Sequence, residues 1–239
     1  MFSGPLALFD GTRFNDVRGA CNGVNLSSVA LDRAQVVKAA IALLDEVGLD
    51  GLSLRRLAQR LGVQAPALYW HFKSKQELLD TMAAVIALEE APLLPPTPRI
   101  AWDEWLAAYA RSLRAAYSRH RDGALLAAST QPAPSQWADI ELRLRVLGNA
   151  GLAPADGLRA LIAVGNYVTG FTLEEQLHAI AADTGPLTYA QYGEARARLA
   201  GFPRLAEALR EVGDPQGSGA FEDGLQVILD GVRARARPR

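Results

Sequence analysis

The chain has 239 residues, of which 49% are hydrophobic and 21% are charged, a balance typical of globular proteins that bury a sizeable core. Its formal net charge of −1 gives no overall sign of nucleic-acid binding. No apolar run reaches about 18 residues, which argues against a membrane span, and the single cysteine excludes an internal disulfide and fits a cytoplasmic location. Alanine and leucine dominate the periodic segments, so we expect an all-α protein.

Positive charge is concentrated in one short segment. Residues 51–75 contain five Lys and Arg and no acid, whereas residues 76–239 contain about four more acids than bases. A basic module on an acidic body is typical of a DNA-binding protein with a separate effector domain. A solvated helix face would explain the charge equally well, so charge alone does not decide between these interpretations.

The N-terminal part begins with an irregular stretch. Glycine and proline interrupt any helical period in residues 1–30, which we predict to be a disordered leader or a flexible arm. The first helix is predicted from Asp32 to Val47, with Gln35 completing a capping box at its start and Gly48 ending it. Its core-facing residues recur at helical spacing: Val36, Val37, Ala40, Ile41, Leu44 and Val47.

A helix-turn-helix follows in the predicted order of elements. Ser53 caps a short second helix that ends at Gly62, and Pro66 opens a third helix over residues 66–71. A second capping box, Ser74 to Glu77, opens a fourth helix that begins at Lys75 and continues to about Glu90.

The third helix carries three bulky side chains in succession, Tyr69, Trp70 and His71. Successive helical positions are about 100° apart, so at least one of the three must point outward. An outward aromatic side chain beside cations fits a partner such as DNA. The alternative is that Leu68 and one aromatic residue pack inward while the others cover the end of the helix.

A proline-rich stretch, residues 91–98, separates the helix-turn-helix domain (31–90) from a larger helical domain (91–239). Residues 183–188 and 213–219 are predicted to be loops because they are rich in Gly, Pro and Asp. The helices predicted after the break are 101–120, 122–128, 135–149, 154–181, 190–211 and 220–236.

Two stretches carry a specific resemblance. GLDGLSLRRLAQRLGV at 48–63 and PALYWHFKSKQELLD at 66–80 closely resemble the DNA-binding domain of the TetR family of repressors. Shorter segments resemble the effector domain of its tetracycline repressor branch in the same order: RDG at 121–123, DGL at 156–158 and LEEQLH at 173–178. The resemblance covers about residues 31–235, strongly in the first part and patchily in the second.

Position by position, the resemblance implies how the helix-turn-helix domain would bind a double-stranded DNA operator. Arg55 would reach a guanine edge, Pro66 would contact a thymine methyl, and Trp70 would pack against sugar-phosphate and base edges. The remaining implied contacts are to phosphates, from Tyr69, His71, Lys75 and the hydroxyl of Ser53.

The sequence departs from the tetracycline repressor at Ala65 and Ala67, where larger polar residues contact bases in that protein. Gln64 is a candidate replacement that would bind adenine. We therefore expect a different operator sequence with the same docking.

The family dimerises through its last long helices, which implies a homodimer built on residues 154–181 and 220–236. One helix-turn-helix binds weakly, and two copies about one turn of DNA apart require a palindromic site. The alternative is that the apolar residues of these helices fill an intramolecular core. The residues concerned are Leu161, Val164, Val168, Leu225, Ile228 and Val232.

The resemblance also places a small-molecule effector inside the second domain. The implied lining combines apolar walls with a few polar groups, which suits a flat drug-like ligand. It comprises Tyr109, Leu113, Ala127, Thr130, Pro132, Ile140, Arg143, Leu158, Leu161 and Glu174, with Asn166 and Tyr167 nearby.

One departure concerns the metal. The tetracycline repressor holds a magnesium–drug chelate with a histidine where this chain has Ala127. Glu174 alone supplies only one of the several ligands that a hard cation needs. We therefore predict no metal or cofactor, and we expect that magnesium-tetracycline is not the inducer. Tyr109 and Arg143 favour an aromatic ligand, including an anionic one, such as an aromatic polyketide antibiotic or its precursor.

The predicted function is a ligand-responsive repressor of an efflux or resistance gene, with no enzymatic activity. The related alternatives are a regulator that responds to a signalling lactone and a regulator that activates transcription. The helix 154–181 carries Glu174 and Glu175, and His178 lies four residues after Glu174 on one helical face. Such a pair could perform acid–base chemistry or bind a metal, but no nucleophile, second ligand cluster or phosphate loop accompanies it, and a surface ion pair is the favoured interpretation. The remaining alternative is a helical interaction protein without DNA binding, which salt-dependent DNA binding would exclude.

Overall fold

The computed structural model describes residues 31–89, 101–132, 134–184, 201–213 and 218–236. All regular structure in these residues is helical, which confirms the all-α prediction. The predictions for residues 1–30 and for the proline-rich stretch 91–98 lie outside the described residues. The helices are α1 (Arg33–Gly51), α2 (Leu54–Leu61), α3 (Ala65–Leu68), α4 (Lys75–Glu89), α5 (Trp102–Arg119), α6 (Gly123–Ala128), a 3-10 turn (Pro134–Gln136), α7 (Trp137–Asn149), α8 (Pro154–Thr184), α9 (Pro203–Val212) and α10 (Ser218–Arg233).

The N-terminal head consists of α1 to α4. Helix α1 packs against both α2 and α4, and α2 packs against α3. The predicted capping box opens α1, because Asp32 accepts from the Gln35 N–H at 2.7 Å while the Gln35 side chain accepts from the Asp32 N–H at 3.2 Å. The head has an apolar core to which α1, α2, α4 and the end of α3 all contribute. Its fully buried members include Val36, Leu44, Leu57, Leu68, Phe72, Leu78 and Met82.

Two helix ends in the head differ from the predictions. Gly48 breaks α1 as predicted, with φ of +71°, but the chain makes one further helical turn as far as Gly51. The third helix is shorter than the predicted 66–71, because the N–H of Tyr69 bonds the carbonyl of Pro66 at 3.2 Å and tightens the backbone. Tyr69, Trp70 and His71 therefore lie in a turn that follows α3, not within a helix.

The second capping box is only half formed. The Glu77 N–H donates to the Ser74 hydroxyl at 3.1 Å, as predicted. The Glu77 carboxylate, however, accepts from the backbone N–H of Lys73 at 2.7 Å, one residue before the expected donor. This bond holds the chain between α3 and α4 in its turn.

The body consists of α5 to α10. Helix α8 is its central element and packs against α5, α6, α7 and α10. Since α4 also packs against α5 and α6, it joins the head to the body. Buried core residues of the body include Leu106, Leu113, Leu126, Leu147, Val164, Val168, Phe221 and Leu225.

Several boundaries in the body correct the predictions. Helix α10 begins at Ser218 and ends at Arg233 rather than spanning 220–236, so the predicted loop over 213–219 is wrong for its last two residues. Helix α8 continues through Thr184, so the predicted loop over 183–188 is wrong for its first two residues. In the predicted helix 190–211, residues 190–200 lie outside the described residues. The described part begins at Pro203, because proline suits the first helical turn and Phe202 before it is not helical. No helix among the described residues is long and apolar enough to cross a membrane.

Candidate DNA interface and effector site

Helix α2 is capped at its start, and two local features build the turn that follows it. The Ser53 hydroxyl accepts from the Arg56 N–H at 3.3 Å and caps the start of α2. Gly62 ends α2 in the left-handed region, at φ +67°, which glycine adopts without a steric penalty. The N–H of Val63 then bonds the carbonyl of Ala58 at 3.0 Å. These contacts set α3 across α2 at the head's surface.

The recognition segment, residues 64–71, presents aromatic side chains to solvent. Trp70 is 90% exposed and Tyr69 is 56% exposed, while Leu68 is fully buried. The inward packing of Leu68 matches the alternative prediction, but neither Tyr69 nor Trp70 packs inward with it. A tryptophan this exposed is unusual in a soluble protein and points to a partner surface.

The other predicted DNA contacts lie on the same head. Arg55, Gln64, Pro66 and Lys75 are exposed. Ser53 and His71 are half-buried, and the Ser53 oxygen already serves α2 as its cap. One of the five basic residues in 51–75 is neutralised, because Arg60 pairs with Glu46 of α1 at 2.7 Å.

Arg33 braces the recognition segment, and sequence analysis missed it. Its guanidinium donates to the carbonyl of His71 at 2.7 Å and to Glu77 at 3.0 Å, and it lies 4.3 Å from the centre of the Phe72 ring. The Lys73 N–H and Arg33 together hold the pKa of the Glu77 carboxyl below its ordinary value. Because 38 residues separate Arg33 from His71, no local pattern could reveal this contact.

The head and the body meet at a buried histidine. His120, at the end of α5, is only 8% exposed. Its Nδ1 lies 3.0 Å from Asp45 of α1, and its Nε2 lies 3.0 Å from Glu89 of α4. No local pattern in the sequence singles out His120, because Asp45 and Glu89 lie 75 and 31 residues away along the chain.

The turn that follows His120 is bonded on both sides. On the α1 side, the Arg121 N–H donates to Asp45 at 3.1 Å, and the Leu49 N–H donates to the Asp122 carboxylate at 2.8 Å. On the α8 side, the Gln176 amide donates to the His120 carbonyl at 2.9 Å. Residues 120–122, the α5–α6 turn, therefore connect the head to the central helix of the body.

The structure brings together two residues of the predicted effector lining. The Arg143 guanidinium of α7 lies 4.5 Å from the centre of the Tyr109 ring on α5. The Trp105 ring stacks on the Tyr109 ring, with centroids 6.3 Å apart and planes 14° apart. Leu113, one turn further along α5, is buried.

The remaining predicted lining residues are more scattered. Thr130 is half-buried and donates to the carbonyl of Ala127 at 3.1 Å. Ile140, Leu161 and Tyr167 are half-buried, and Tyr167 donates to the carbonyl of Phe221 at 2.9 Å. Four of the predicted residues are exposed, namely Pro132, Leu158, Asn166 and Glu174.

A separate groove of about 480 Å³ lies elsewhere on the body. It contains none of the predicted effector residues. Its arginines are paired, Arg111 with Glu222 at 2.7 Å and Arg114 with Glu175 in a fork that also stacks on Phe221. The groove is lined by Arg111, Arg114, Ala115, Ser118, Glu175, Gln176, Ala179 and Phe221.

The metal and acid–base candidates gain little support from the geometry. His178 Nδ1 lies 2.7 Å from the backbone carbonyl of Glu174, and both residues are exposed. Glu175 is engaged with Arg114. Among the described residues, no group of three or more His, Cys, Asp or Glu is placed to hold a metal ion.

The predicted dimer residues divide into two classes. Val164, Val168, Leu225 and Val232 are buried within the protomer, so the intramolecular alternative is correct for them. Leu161 and Ile228 are half-buried. Other apolar side chains of α8 and α10 are exposed, namely Leu158, Ile162, Leu177 and Val227.

Two family models match the chain. Residues 36–82 match the model described as bacterial regulatory proteins of the tetR family. Residues 94–236 match the model described as the tetracyclin repressor-like C-terminal domain. Both are models of regulatory proteins, which confirms the prediction of a regulator rather than an enzyme.

Individual relatives extend over most of the chain. The class A tetracycline repressor protein from transposon 1721 of Escherichia coli is 39% identical over 200 residues, which cover 84% of this chain and 89% of that protein. The crystal structure of ActR, a TetR family protein of Streptomyces coelicolor, in complex with (S)-DNPA is 28% identical, with a TM-score of 0.70, over 87% of this chain and 99% of that chain.

A third relative was solved on DNA. The crystal structure of BioQ with its double-stranded DNA operator is 32% identical, with a TM-score of 0.59, over 85% of this chain and 99% of that chain. The two family models and the sequence identity over most of the chain agree with the helix-turn-helix of the head and the helical body. The chain belongs to the TetR family of transcriptional regulators.

Proposed function

We propose that the protein is a cytoplasmic, homodimeric repressor that binds a palindromic operator and is released from it by a small aromatic molecule. The gene it controls would encode an efflux pump or another resistance function. The observation that carries the proposal is the exposed Trp70 in the recognition segment, flanked on the same head by the exposed cations Arg55 and Lys75. BioQ, which shares the fold, was solved with its operator.

The DNA contacts follow from this exposure. Arg55 offers a guanidinium for a guanine edge in the major groove, where bidentate pairing distinguishes bases. Lys75, at the start of α4, adds a phosphate contact beside the positive end of that helix. Arg33 contributes indirectly, because it holds the His71 carbonyl and keeps the aromatic turn in place.

Dimerisation is supported by apolar surface on α8 and α10. Val227 is 72% exposed and Ile162 is 52% exposed, although both lie on helices whose opposite faces form the core. Exposed apolar patches on long helices are typical of subunit interfaces. Two heads about one helical turn of DNA apart would then bind the two half-sites of a palindrome.

The effector is proposed to enter beside Tyr109 and Arg143, and to differ from magnesium-tetracycline. Ala127 offers no ligand to a metal, and Glu174 is exposed on α8. Stacking groups on α5 and α7 favour a flat aromatic molecule. Its binding would be transmitted through the α5–α6 turn, which is bonded to α1 and α4 through His120.

The test is a gel-shift assay with the full-length protein and the DNA flanking its own gene. Aromatic polyketides are titrated in parallel with tetracycline plus magnesium. We expect a salt-sensitive shift that a polyketide abolishes and tetracycline does not. Release by tetracycline would contradict the argument from Ala127, and the absence of any shift at low salt would contradict the DNA-binding proposal.

A further inference from the structure

His120 is a buried histidine of the body that lies between two helices of the head. It is 8% exposed, whereas His71 is half-buried and His178 is exposed. Its Nδ1 lies 3.0 Å from a carboxylate oxygen of Asp45 on α1, and its Nε2 lies 3.0 Å from a carboxylate oxygen of Glu89 on α4. Each ring nitrogen therefore has its own carboxylate, and the two carboxylates belong to different helices.

The protonation state of this ring decides how many of the two contacts are hydrogen bonds. The imidazolium donates from both nitrogens, so both carboxylates accept and the positive charge lies between two negative ones. A neutral imidazole donates from only one nitrogen. The lone pair on its other nitrogen would face a carboxylate oxygen at 3.0 Å, which is repulsive. Loss of one proton therefore breaks one of the two bonds from His120 to the head.

The two carboxylates differ in what else holds them. The backbone N–H of Arg121 donates to Asp45 at 3.1 Å at any pH, while the Arg121 guanidinium donates to the carbonyl of Glu46 at 3.1 Å. Glu89 is also approached by Arg119, but at 3.7 Å and with 54% of the Arg119 side chain exposed. Exposed ion pairs contribute little. The contact with Glu89 on α4 therefore depends more strongly on the charged ring than the contact with Asp45 does.

The other charged groups beside the α5–α6 turn are engaged elsewhere. The Glu46 carboxylate pairs with Arg60 at 2.7 Å, and the Asp122 carboxylate accepts a backbone N–H of α1 at 2.8 Å. Helix α6 has no titratable side chain, and α8 contributes the neutral amide of Gln176. Burial opposes the charge on the ring, but the hydrogen bonds to the two carboxylates raise the pKa of His120 above 6.5. Histidine is the side chain whose charge ordinarily changes near neutral pH.

The position of the head matters for operator binding. A dimer binds a palindrome only when its two heads are held about one turn of DNA apart. A head that keeps fewer bonds to the body samples more orientations, and binding then costs the entropy of ordering it. We therefore expect weaker operator binding when the ring is neutral.

We propose that His120, Asp45 and Glu89 form a proton-sensitive latch between the body and the head, so that operator affinity falls as His120 loses its proton. This inference rests on the proposed function, because it assumes that two heads bind one operator. It adds the proton as a second input to the regulator, besides the small-molecule effector.

The test measures the affinity of the full-length protein for labelled operator at constant ionic strength, from pH 6.5 upward. Wild-type affinity should fall about fivefold or more as the ring is deprotonated. Glu89→Gln should bind with little pH dependence, because the glutamine amide accepts from a charged ring and donates to a neutral one. Glu141→Gln, the same change at an exposed position of α7, is the matched control and should follow the wild type.

Two histidine variants separate the latch from a direct effect on DNA. His71 is proposed to bind a phosphate, so His71→Gln should bind more weakly at every pH but keep the fall in affinity. His120→Gln should lose most of the fall. The proposal is overturned if wild-type affinity does not depend on pH, if Glu89→Gln and Glu141→Gln fall alike, or if His71→Gln removes the dependence.

Hydrogen exchange without DNA separates this proposal from the proposed function. The N–H groups of Arg121 and Leu49 donate to Asp45 and Asp122 across the boundary between head and body. At pH 6.5 both should exchange more slowly in the wild type than in His120→Gln, and the difference at equal pH should vanish once the ring is neutral. Equal exchange in the two proteins at every pH overturns the latch even if the operator is bound. If the difference appears but no operator is bound at any pH, the latch stands and the proposed function fails.

Discussion

The Nδ1 of His120 lies 3.0 Å from the Asp45 carboxylate and joins the end of α5 to α1 across 75 residues of sequence. The same imidazole bonds Glu89 at the end of α4 through Nε2. One buried side chain therefore links a helix of the body to two helices of the head. Two carboxylates on one imidazole favour its protonated form, since only the imidazolium donates from both nitrogens.

We predict that the contacts of His120 with Asp45 and Glu89 stabilise the protein less as pH rises. Burial alone would lower the His120 pKa, but the hydrogen bonds to Glu89 and Asp45 outweigh it and raise the pKa above 6.5. Because the folded-state pKa lies above the unfolded value of 6.5, protonated His120 contributes its full stabilisation below pH 6.5. This contribution is lost as pH rises through the folded-state pKa. The stability advantage of the wild type over His120→Gln should therefore be largest below about pH 6.5 and shrink as pH rises through the folded-state pKa.

Thermal unfolding across that range checks the prediction. At the acidic end His120→Gln should cost about 1–3 kcal/mol, because it leaves Asp45 and Glu89 without their shared cation. A constant difference between wild type and His120→Gln at every pH would contradict the assignment of charge to His120.

Trp70→Ala should separate stability from DNA binding. The side chain is 90% exposed, so its removal should change the free energy of unfolding by no more than about 0.5 kcal/mol. Operator affinity should fall about tenfold or more, since exposed aromatic residues at an interface are frequent hot spots. Fluorescence anisotropy with labelled operator measures this loss, and Trp137→Ala, at an exposed position of the body, should bind DNA normally.

Substitutions of Arg55 and Lys75 should impair DNA binding in different ways. Arg55→Ala should cost about 1–3 kcal/mol on the operator and relax discrimination at one base pair, because its guanidinium is proposed to bind a base edge. Lys75→Ala should weaken binding to all sequences alike and reduce the salt-dependence slope by about one, because it is proposed to bind a phosphate. Binding titrations at several salt concentrations on operator and scrambled DNA distinguish the two patterns, and equal effects on both DNAs for Arg55→Ala would contradict its role.

Val227→Asp should dissociate the proposed dimer. Val227 is 72% exposed on α10, so a charge there costs the isolated protomer little but would be buried without a partner at a subunit interface. Sedimentation velocity should show a shift from dimer toward monomer, with operator affinity lost in parallel. Val85→Asp, at an exposed position of α4, is the control and should remain dimeric. A monomeric wild type, or a Val227→Asp variant with unchanged mass, would rule out this surface as the interface.

Local sequence determined most of the helices and their ends. Asp32 with Gln35, Ser53 and Gly62 mark helix boundaries through contacts within three or four residues, and these boundaries occur where predicted. The third helix begins at Ala65, one residue before the predicted Pro66. The predictions missed where the backbone tightened after α3 and where α8 ran past its expected end. Such ends depend on hydrogen bonds that compete closely with continued helix.

Periodicity could not decide which apolar face meets which partner. Val164 and Val168 have the same helical spacing as an interface stripe, but both are buried within the protomer, whereas Ile162 on the same helix is exposed. The stripe on a helix reports that one face is buried and not what buries it.

The sequence alone determined the class of this protein, because the residues that cap and space its helix-turn-helix lie close together along the chain. Only the tertiary structure decided the long-range pairings: Arg33 with His71, His120 with Asp45 and Glu89, and Arg143 with Tyr109. The reason is physical. A hydrogen bond or stack between residues more than 30 positions apart depends on the angles at which whole helices pack, and those angles arise from the summed burial of many side chains.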